Sequence, residues 1–336
     1  MHVLEAGTPG GPCVLLLHGF PELAYSWRKV MPALAAEGFH VLAPDQRGYG
    51  RTTGWDGRYD GDLGSFRILN IVEDAIALLA RLEITQAHVV GHDFGSPVAA
   101  YAALTRPDLF RSAVLMSAPF GGPPTSLPSP EIHDELAQLG RKHYQWYYST
   151  READADMRDC PQGIGAFLRA YYHHKSADWE GNRPYPLKSW SAAELAKLPT
   201  YYVMELDKNM AETVAPEMPR HAAWLTDEEL AVYAEAFRRT GFQGGLQWYR
   251  CGTGSEFIAE LMKLSGRTLD VPSMFIAGTA DWGIYQKPGE FERMQSQACT
   301  DLCGCHLVEG AGHWVQQEQP EAVAQLLVGF LRSLIM

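Results

Sequence analysis

Residues 89–97, V-V-G-H-D-F-G-S-P, join a short apolar run to a helical run that begins near Pro97. Gly91 and Gly95 lie two residues on either side of Asp93, and they let the backbone make a sharp strand-to-helix turn. Such a turn exposes the Asp93 side chain above the N-terminus of the helix, whose positive end favours an ionised carboxylate. Asp93 as a plain helix cap is the alternative, but a cap does not need a glycine on each side. The sequence therefore predicts a buried strand that ends in an exposed nucleophile, Asp93.

Short apolar runs alternate with helical patterns before and after this turn, which is typical of parallel βαβ units. Residues 68–79 carry apolar side chains at helical spacing, as expected of a helix that packs by one face, and Ala322 to Leu334 form a closing amphipathic helix. The predicted strands are Cys13 to Leu17, His40 to Ala43, His88 to Gly91, Ala113 to Met116, Pro272 to Ala277 and His306 to Val308.

The character of the chain changes after Pro119, where proline, glycine and aromatic residues are frequent and helices follow one another without strands. Thr226 and Glu229 fit a capping box that begins one of these helices, and Gly241 ends it. We therefore predict an α/β fold whose mostly parallel central sheet is flanked by helices. Its core segments are residues 1–119 and 271–336, and a helical cap domain is inserted at residues 120–270.

The composition limits the classes of function. With 336 residues, 46% of them hydrophobic, the chain can bury a large core. Its net charge of −12, from 40 acidic and 28 basic residues, repels phosphate backbones and anionic lipids, so we expect neither nucleic-acid nor membrane partners. No apolar stretch approaches the roughly 18 residues of a membrane helix. Met1 to Gly7 lack the pattern of a secretory signal, which predicts a cytoplasmic protein.

The six cysteines show no Cys-x-x-Cys spacing, and we expect free thiols. Cys299, Cys303, Cys305 and His306 have the side chains of zinc ligands, but they run into a predicted strand, where alternate side chains face opposite ways. Residues 7–11 lack the lysine and the spacing of a phosphate-binding loop. We therefore expect no metal and no cofactor.

Two loops that follow the last predicted strands carry the partners expected for Asp93. Asp281 ends the segment 278–281, and His313 lies in the segment 310–314. The carboxyl ends of parallel strands meet at one edge of the sheet, so we expect the three side chains to lie close together there. The chain order of nucleophile, acid and histidine is the order of this architecture. We predict His313 as the general base and Asp281 as the acid that orients it.

An aspartate nucleophile restricts the reaction. Attack on an ordinary ester or amide gives an anhydride, whereas attack on a saturated carbon with a leaving group gives a stable alkyl ester. Epoxides and alkyl halides fit that requirement, and simple ester or amide substrates do not.

Residues 18–21, HGFP, follow the first of the predicted strands. Taken alone, Gly-Phe-Pro favours only a turn. Beside the predicted site, the loop can direct the Phe20 N–H toward the reacting group, opposite the N–H of Phe94. We predict an oxyanion hole formed by these two amides, and a cis bond before Pro21.

These segments together resemble the epoxide hydrolases of the α/β-hydrolase superfamily, of the soluble kind, over nearly the whole chain. The resemblance implies the α/β-hydrolase fold with a cap, and an enzyme that converts an epoxide and water into a vicinal diol. Family members usually carry another strand before the segment similar to residues 1–6, so we expect this chain to begin within the family's second strand. The matching motifs are HGFPE at 18–22, DQRGYG at 45–50, GHDFG at 91–95, GTAD at 278–281 and GAGHW at 310–314.

The resemblance also implies two cap tyrosines that hold the epoxide oxygen. Residues 144–148, YQWYY, and 245–250, GLQWYR, are similar to the family's segments and nominate Tyr144 and Tyr249, with Tyr147 as the substitute for Tyr144. The implied mechanism is attack by Asp93 while the phenols protonate the oxygen, followed by hydrolysis of the ester by water that His313 activates. The expected substrate contacts are Phe20, Pro21, Phe94, Trp146, Trp282 and Trp314.

Two rival functions share parts of this pattern. Haloalkane and haloacid dehalogenases use the same covalent chemistry, but they usually place tryptophan or arginine after the nucleophile and a side-chain donor after His-Gly, where this chain has Phe94 and Phe20. A non-catalytic ligand-binding protein of the same fold has no need of the nucleophile, base, acid and paired tyrosines together. Because no arginine follows Asp93, we expect an apolar, aryl-bearing epoxide as the small-molecule partner, with water, and a monomer or homodimer.

Overall fold

A seven-stranded sheet forms the centre of the structure, a computed structural model that describes residues 1–217, 219 and 221–335. Of the other three residues, 218 and 220 fall within the predicted cap domain and 336 within the second predicted core segment. The strands in chain order are β1 (Val3–Ala6), β2 (Cys13–Leu17), β3 (His40–Pro44), β4 (Ala87–His92), β5 (Phe110–Met116), β6 (Arg141–His143), β7 (Val203–Glu205), β8 (Ser273–Gly278) and β9 (Leu302–Val308).

The order of strands across the sheet is β1-β3-β2-β4-β5-β8-β9. β1 at the edge pairs antiparallel with β3, and every other neighbouring pair is parallel. β2 and β4 are direct neighbours, so the loops that follow them leave the sheet side by side. This places the HGFP loop next to the turn at Asp93.

Helices cover both faces of the sheet and fill the insertion between β5 and β8. No helix in the described part of the chain has both the length and the apolar character to cross a membrane. The helices in chain order are α1 (Met31–Ala36), α2 (Ile68–Arg81), α3 (Gly95–Thr105), α4 (Glu131–Gln138), α5 (Tyr144–Tyr148), α6 (Ala153–Arg158), α7 (Gly163–Lys175), α8 (Ala192–Leu195), α9 (Met210–Val214), α10 (Asp227–Thr240), α11 (Gln243–Thr253), α12 (Ser255–Met262), α13 (Glu290–Arg293), α14 (Val315–Glu318) and α15 (Pro320–Ser333).

β2 is apolar at every position because both of its faces are covered. Leu15 and Leu17 pack on one side of the sheet with α2 and α3, while Val14 and Leu16 pack on the other with α1 and α15. The buried face of α2 is the stripe that the apolar spacing predicts, with Val72, Ala75 and Leu79 inside. The two buried layers hold the sheet rigid, so the loops at its carboxyl edge are fixed in place.

The insertion between β5 and β8, here called the cap insertion, is mainly helical, but the expectation that it lacks strands is wrong. β6 and β7 pair antiparallel as a separate two-stranded sheet. Each is only three residues long, too short to show an alternating pattern in the sequence. The capping box at Thr226 and Glu229 is present, and Gly241 ends α10 with φ +65°. The domain boundaries at 120 and 270 stay a prediction.

Candidate active site

Asp93 lies in the turn between β4 and α3 with φ +52°, a left-handed conformation that side chains other than glycine rarely adopt. The glycines on either side permit the turn. A Cβ atom on Gly91 would lie 1.9 Å from the Gly95 carbonyl oxygen, and one on Gly95 would lie 2.4 Å from the Leu17 carbonyl oxygen. The strained turn is therefore possible only with glycine at both places.

Asp93, His313 and Asp281 form a continuous hydrogen-bonded chain. Nε2 of His313 lies 3.0 Å from Oδ2 of Asp93, and Nδ1 lies 3.0 Å from Oδ1 of Asp281. The same Asp281 oxygen accepts a hydrogen bond of 2.7 Å from the Gly283 N–H, which fixes the carboxylate. All three side chains are buried. This geometry orients the imidazole ring so that Nε2 faces Asp93.

The carboxyl groups of Asp93 and Asp281 both stay ionised despite their burial. Burial alone would raise the pKa of Asp93, but the hydrogen bond and the charge of His313 outweigh it and hold the pKa well below its usual range. The positive charges of Lys175 and His92 act in the same direction. For Asp281, burial again opposes ionisation, and His313 again lowers the pKa below the ordinary value of 3.8. Asp93 is therefore an anion in a water-poor site, as a nucleophile requires.

The HGFP loop approaches Asp93 from β2. The Phe20 N–H donates a hydrogen bond of 2.9 Å to Oδ1 of Asp93. A Cβ atom on Gly19 would lie 2.3 Å from the same oxygen, so only glycine allows this approach. The cis bond before Pro21 is confirmed. The N–H of Phe94 as the second donor stays a prediction.

A buried ion pair lies behind the histidine, and the sequence analysis missed it. Nδ1 of His92 lies 2.6 Å from Oε2 of Glu22, and Nε2 lies 2.7 Å from the His313 carbonyl oxygen. Burial lowers the pKa of His92, but the charge of Glu22 outweighs it and raises the pKa above 6.5. The only signal in the sequence was the position of both residues inside the motifs HGFPE and GHDFG.

Tyr144 and Tyr249 both line a cavity of about 850 Å³ that reaches Asp93. Their ring centroids lie 5.9 Å apart. The hydroxyl of Tyr144 donates to Oε1 of Gln286 at 3.0 Å and accepts from Nε2 of Gln145 at 3.2 Å. Burial first, and then the charge of Asp93, raises the pKa of both phenols well above 10. Both therefore carry the proton that a hydrogen-bond donor needs.

Tyr147, the substitute considered for Tyr144, faces away from the cavity. Its hydroxyl donates to Oδ2 of Asp156 at 2.9 Å and accepts from the Met210 N–H at 3.3 Å. Tyr147 is not among the residues that line the cavity. Its contacts with Asp156 and Met210 hold the Tyr147 hydroxyl outside the cavity.

The expected aromatic contacts divide into two groups. Phe94 and Trp146 line the cavity, whereas Phe20, Pro21, Trp282 and Trp314 are not among its lining residues, and their contact with substrate stays a prediction. Trp314 is fully buried beside His313, with its ring nitrogen donating to the Tyr172 carbonyl oxygen at 2.8 Å. Trp282 packs on Tyr185 with ring centroids 4.9 Å apart. Adjacency to a site residue in the sequence does not fix the direction of a side chain.

The residue types of metal sites are present but dispersed. Cys303, Cys305 and His306 lie along β9, and all six cysteines are free. Within the described residues, no group of three or more His, Cys, Asp or Glu side chains is placed to hold a metal ion.

Comparison with known proteins places this chain in a family. The family model described as "alpha/beta hydrolase fold" matches residues 12–320. Epoxide hydrolase A of Mycobacterium tuberculosis is 36% identical over 99% of this chain and 94% of its own. The chain belongs to the epoxide hydrolases of the α/β-hydrolase fold.

Two solved structures of epoxide hydrolases have the same fold. The epoxide hydrolase from an endophytic Streptomyces matches with a TM-score of 0.82 and 32% identity, over 99% of this chain and 92% of that one. Epoxide hydrolase A from Mycobacterium thermoresistibile gives a TM-score of 0.80 and 33% identity, over 98% and 94% of the two chains. The family and the fold predicted from the sequence are thereby confirmed.

Proposed function

We propose that the protein hydrolyses epoxides to vicinal diols through a covalent ester on Asp93. The observation that carries the proposal is the arrangement of two protonated phenols, Tyr144 and Tyr249, in the cavity that reaches an ionised Asp93. A three-membered ring needs a nucleophile on one side of its carbon and a proton donor at its oxygen, and this cavity offers both.

In the first half-reaction Oδ2 of Asp93 attacks a ring carbon, while Oδ1 stays with the Phe20 N–H. The carbon–oxygen bond of the epoxide breaks, and its electron pair goes to the oxygen, which takes a proton from Tyr144 or Tyr249. The second phenol stabilises the developing negative charge by its hydrogen bond. The aromatic lining excludes water from the carboxylate, which strengthens the nucleophile.

In the second half-reaction His313 takes a proton from water on Nε2, and the water oxygen attacks the ester carbonyl carbon. Asp281 stabilises the imidazolium that forms, since its carboxylate already binds Nδ1. The Phe20 N–H, which donates a hydrogen bond to Asp93 before the reaction, holds the oxyanion. The Phe94 N–H acts as the second donor. The bond between the ester carbon and the diol oxygen then breaks, and that oxygen takes the proton from His313. The proton left on the new carboxyl group returns to the phenolate of the tyrosine that protonated the epoxide, which restores the carboxylate.

The cavity lining supports an apolar, aryl-bearing epoxide as substrate. Phe94, Tyr101, Trp146, Trp248 and Phe257 contribute aromatic surface to it. We expect faster hydrolysis of styrene oxide than of epoxysuccinate, and the reverse order would refute this choice of substrate. Action in the cytoplasm, as a monomer or homodimer, stays a prediction.

The dehalogenase alternative finds less support in the same geometry. A halide leaving group needs donors for a spherical anion and no proton, whereas Tyr144 and Tyr249 are donors that can also protonate an alkoxide. Chloride release from a haloalkane panel, without any diol from epoxides, would reverse the ranking.

The covalent route is tested by the origin of the diol oxygen. With enzyme in excess over styrene oxide in ¹⁸O-water, the first diol should be unlabelled, and the peptide that contains Asp93 should gain the heavy oxygen. Later turnovers should give labelled diol. Label in the first diol, with none in the Asp93 peptide, would mean direct attack by water and would contradict the proposal.

The Asp93→Asn variant is the matched control for that experiment. It keeps the shape of the side chain but lacks the nucleophilic carboxylate, so we expect no diol and no labelled peptide. A slow but steady turnover by this variant would also favour direct attack by water. Absence of diol from every epoxide tried with the native enzyme would overturn the proposed function itself.

A further inference from the structure

Lys175, the last residue of α7, is a buried cation that the mechanism above does not use. It is 3% exposed, and it is the only buried lysine among the described residues. Lysine side chains are almost never buried without a specific partner. A buried ammonium beside an active site therefore needs an explanation.

Four aromatic rings surround the ammonium. Nζ lies 4.9 Å from the ring centroid of Tyr202, 5.4 Å from that of Tyr171, 5.5 Å from that of Trp314 and 6.0 Å from that of Tyr201. The faces of such rings attract a cation. These four rings, here called the aromatic box, therefore hold the charge in place. Burial raises the pKa of the Tyr171 phenol, and the charge of Lys175 acts against that rise. In so apolar a setting the charge is weakly screened and acts over a longer distance than at the surface.

The backbone ties Lys175 to the histidine of the site. The His313 N–H donates to the Lys175 carbonyl oxygen at 2.8 Å. A Cβ atom on Gly312 would lie 2.5 Å from the carbonyl carbon of Ser176, so the two segments are in close contact. One carboxylate oxygen of Glu318 accepts from both the Ala177 and the Gly312 N–H, at 2.8 and 2.9 Å. The backbone of Lys175 is thus held directly against the backbone of His313.

The charge of Lys175 reaches the reacting carboxyl. After burial and His313, Lys175 is the next influence on the pKa of Asp93, and it lowers it. Two tyrosines of the box, Tyr201 and Tyr202, are in turn affected by the charge of Asp281. The aromatic box therefore lies within electrostatic reach of both carboxylates of the site.

We propose that Lys175 is a positioning residue that speeds hydrolysis of the Asp93 ester and slows its formation. The inference rests on the proposed function. When the ester forms, the negative charge of Asp93 is consumed, so a fixed cation nearby stabilises the starting state more than the transition state. When water adds to the ester carbonyl, the carbonyl electron pair moves onto the oxygen, and the same cation stabilises the new charge. The two half-reactions therefore respond to Lys175 in opposite directions.

The test is the Lys175→Met variant, which keeps the length and fills the aromatic box without charge. Rapid-quench mixing with styrene oxide, followed by intact mass spectrometry, gives the rate of ester formation and the rate of its decay separately. We expect decay to slow about tenfold, an order of magnitude that one partly screened charge can supply. Formation should become faster, and the fraction of enzyme present as ester during turnover should rise; formation at the native rate would remove the proposed effect on the first half-reaction.

Two further variants separate charge from packing. Lys175→Gln is also neutral and should slow ester decay in the same way, even if the methionine variant fails to fold. Lys175→Arg keeps the charge and should decay at a rate closer to the native one. An arginine variant as slow as the neutral ones, or formation and decay that fall together in both neutral variants, would overturn the inference.

Lys142→Met is the matched control in the cap insertion. Nζ of Lys142 lies 5.1 Å from the ring centroid of Tyr147, a similar contact with an aromatic ring, but Tyr147 faces away from the cavity. Both rates should stay native in this variant, and equal losses in the Lys142 and Lys175 variants would overturn the inference. If the native enzyme forms no ester, the proposed function fails first. If it forms one and the neutral Lys175 variants decay at the native rate, only the role of Lys175 fails.

Discussion

His313 contacts Asp93 through Nε2 and Asp281 through Nδ1. In the proposed mechanism it acts in only one of the two half-reactions. Alkylation of Asp93 needs no general base, whereas hydrolysis of the ester does. We expect His313→Gln to form the ester at a rate near the native one but to hydrolyse it very slowly. Intact mass spectrometry after mixing with styrene oxide should show protein plus one substrate mass. His306→Gln on β9 is the control, and unmodified His313→Gln protein with full turnover would remove His313 from the mechanism.

The two phenols are not equivalent at rest, because Tyr144 is already hydrogen-bonded to Gln286. Replacing Tyr144 or Tyr249 with phenylalanine removes one donor to the developing alkoxide. We expect each change to cost about 1 to 3 kcal/mol, or roughly fivefold to 150-fold in the rate of ester formation. Both changes together should leave almost no activity, measured as the single-turnover rate.

Tyr147→Phe is the control for the tyrosine pair. Its hydroxyl donates a hydrogen bond to Asp156 and does not face the cavity. The rate of ester formation should therefore stay close to the native one. A severe loss in Tyr147→Phe beside a native rate in Tyr144→Phe would show that Tyr147 is the partner of Tyr249.

Single residues were predictable where a motif fixes both the backbone and the side chain. The sharp turn predicted at Asp93 has room only for glycine at positions 91 and 95, and the structure has that turn. Glu22 and Lys175 were not predictable as parts of the site, because their importance comes from contacts with segments far away in the chain. The sequence indicates an aromatic residue at Trp314 but not the direction of its ring, which is buried and donates to the Tyr172 carbonyl oxygen.

The turn between β4 and α3 depends on close backbone contacts that leave no room for a Cβ atom. Gly91→Ala would force a Cβ atom to 1.9 Å from the Gly95 carbonyl oxygen, and we expect it to cost about 3 kcal/mol or more in free energy of unfolding. Gly329→Ala in α15 is the matched change, since nothing lies within 4 Å of its Cβ position. That change should stabilise the protein by about 0.5 to 1 kcal/mol. Urea unfolding of both variants measures the difference, and equal midpoints would contradict the close approach.

Long elements followed from periodicity, whereas short ones did not. All six predicted strands are in the sheet, and β2 has the predicted bounds. β9 begins at Leu302, earlier than the predicted His306. The sequence does not predict its first part because Cys303, Gly304 and Cys305 lack the branched and aromatic side chains that indicate a strand. β6 and β7 exist only through their pairing with each other, which is a contact between residues far apart in sequence.

The pair of Glu22 and His92 connects segments from both ends of the chain, so it affects the stability of the whole molecule. Its Glu22 carboxylate also accepts from the side chains of Gln316 and Gln317, each at 3.0 Å. Removing one partner of a buried ion pair leaves an uncompensated charge, and we expect Glu22→Gln to cost about 3 to 5 kcal/mol. Urea unfolding at a series of pH values measures this cost.

The pH dependence of that cost follows from the directions of the two pKa shifts. Burial opposes the charge of His92, but Glu22 raises the pKa, so the contribution of His92 is complete below 6.5 and is lost as pH rises through the folded value. Burial also opposes the charge of Glu22, but His92 lowers that pKa, so its contribution is complete above 4.5 and is lost as pH falls through the folded value. The cost of Glu22→Gln should therefore be largest between pH 4.5 and 6.5. A cost independent of pH would show that the pair is not charged.

The end of α7 is in close backbone contact with the loop at residues 310–314, and this contact has a consequence for engineered chimeras. The Lys175 carbonyl holds the His313 amide, Gly312 leaves room for Ser176, and Glu318 bridges the two segments. A chimera that takes its cap from another family member would replace one half of this joint and keep the other. The backbone contacts that hold His313 would then change, even though the side chains of the proposed site were all kept. Grafts of this kind should transfer residues 175–177 and 310–318 from the same parent.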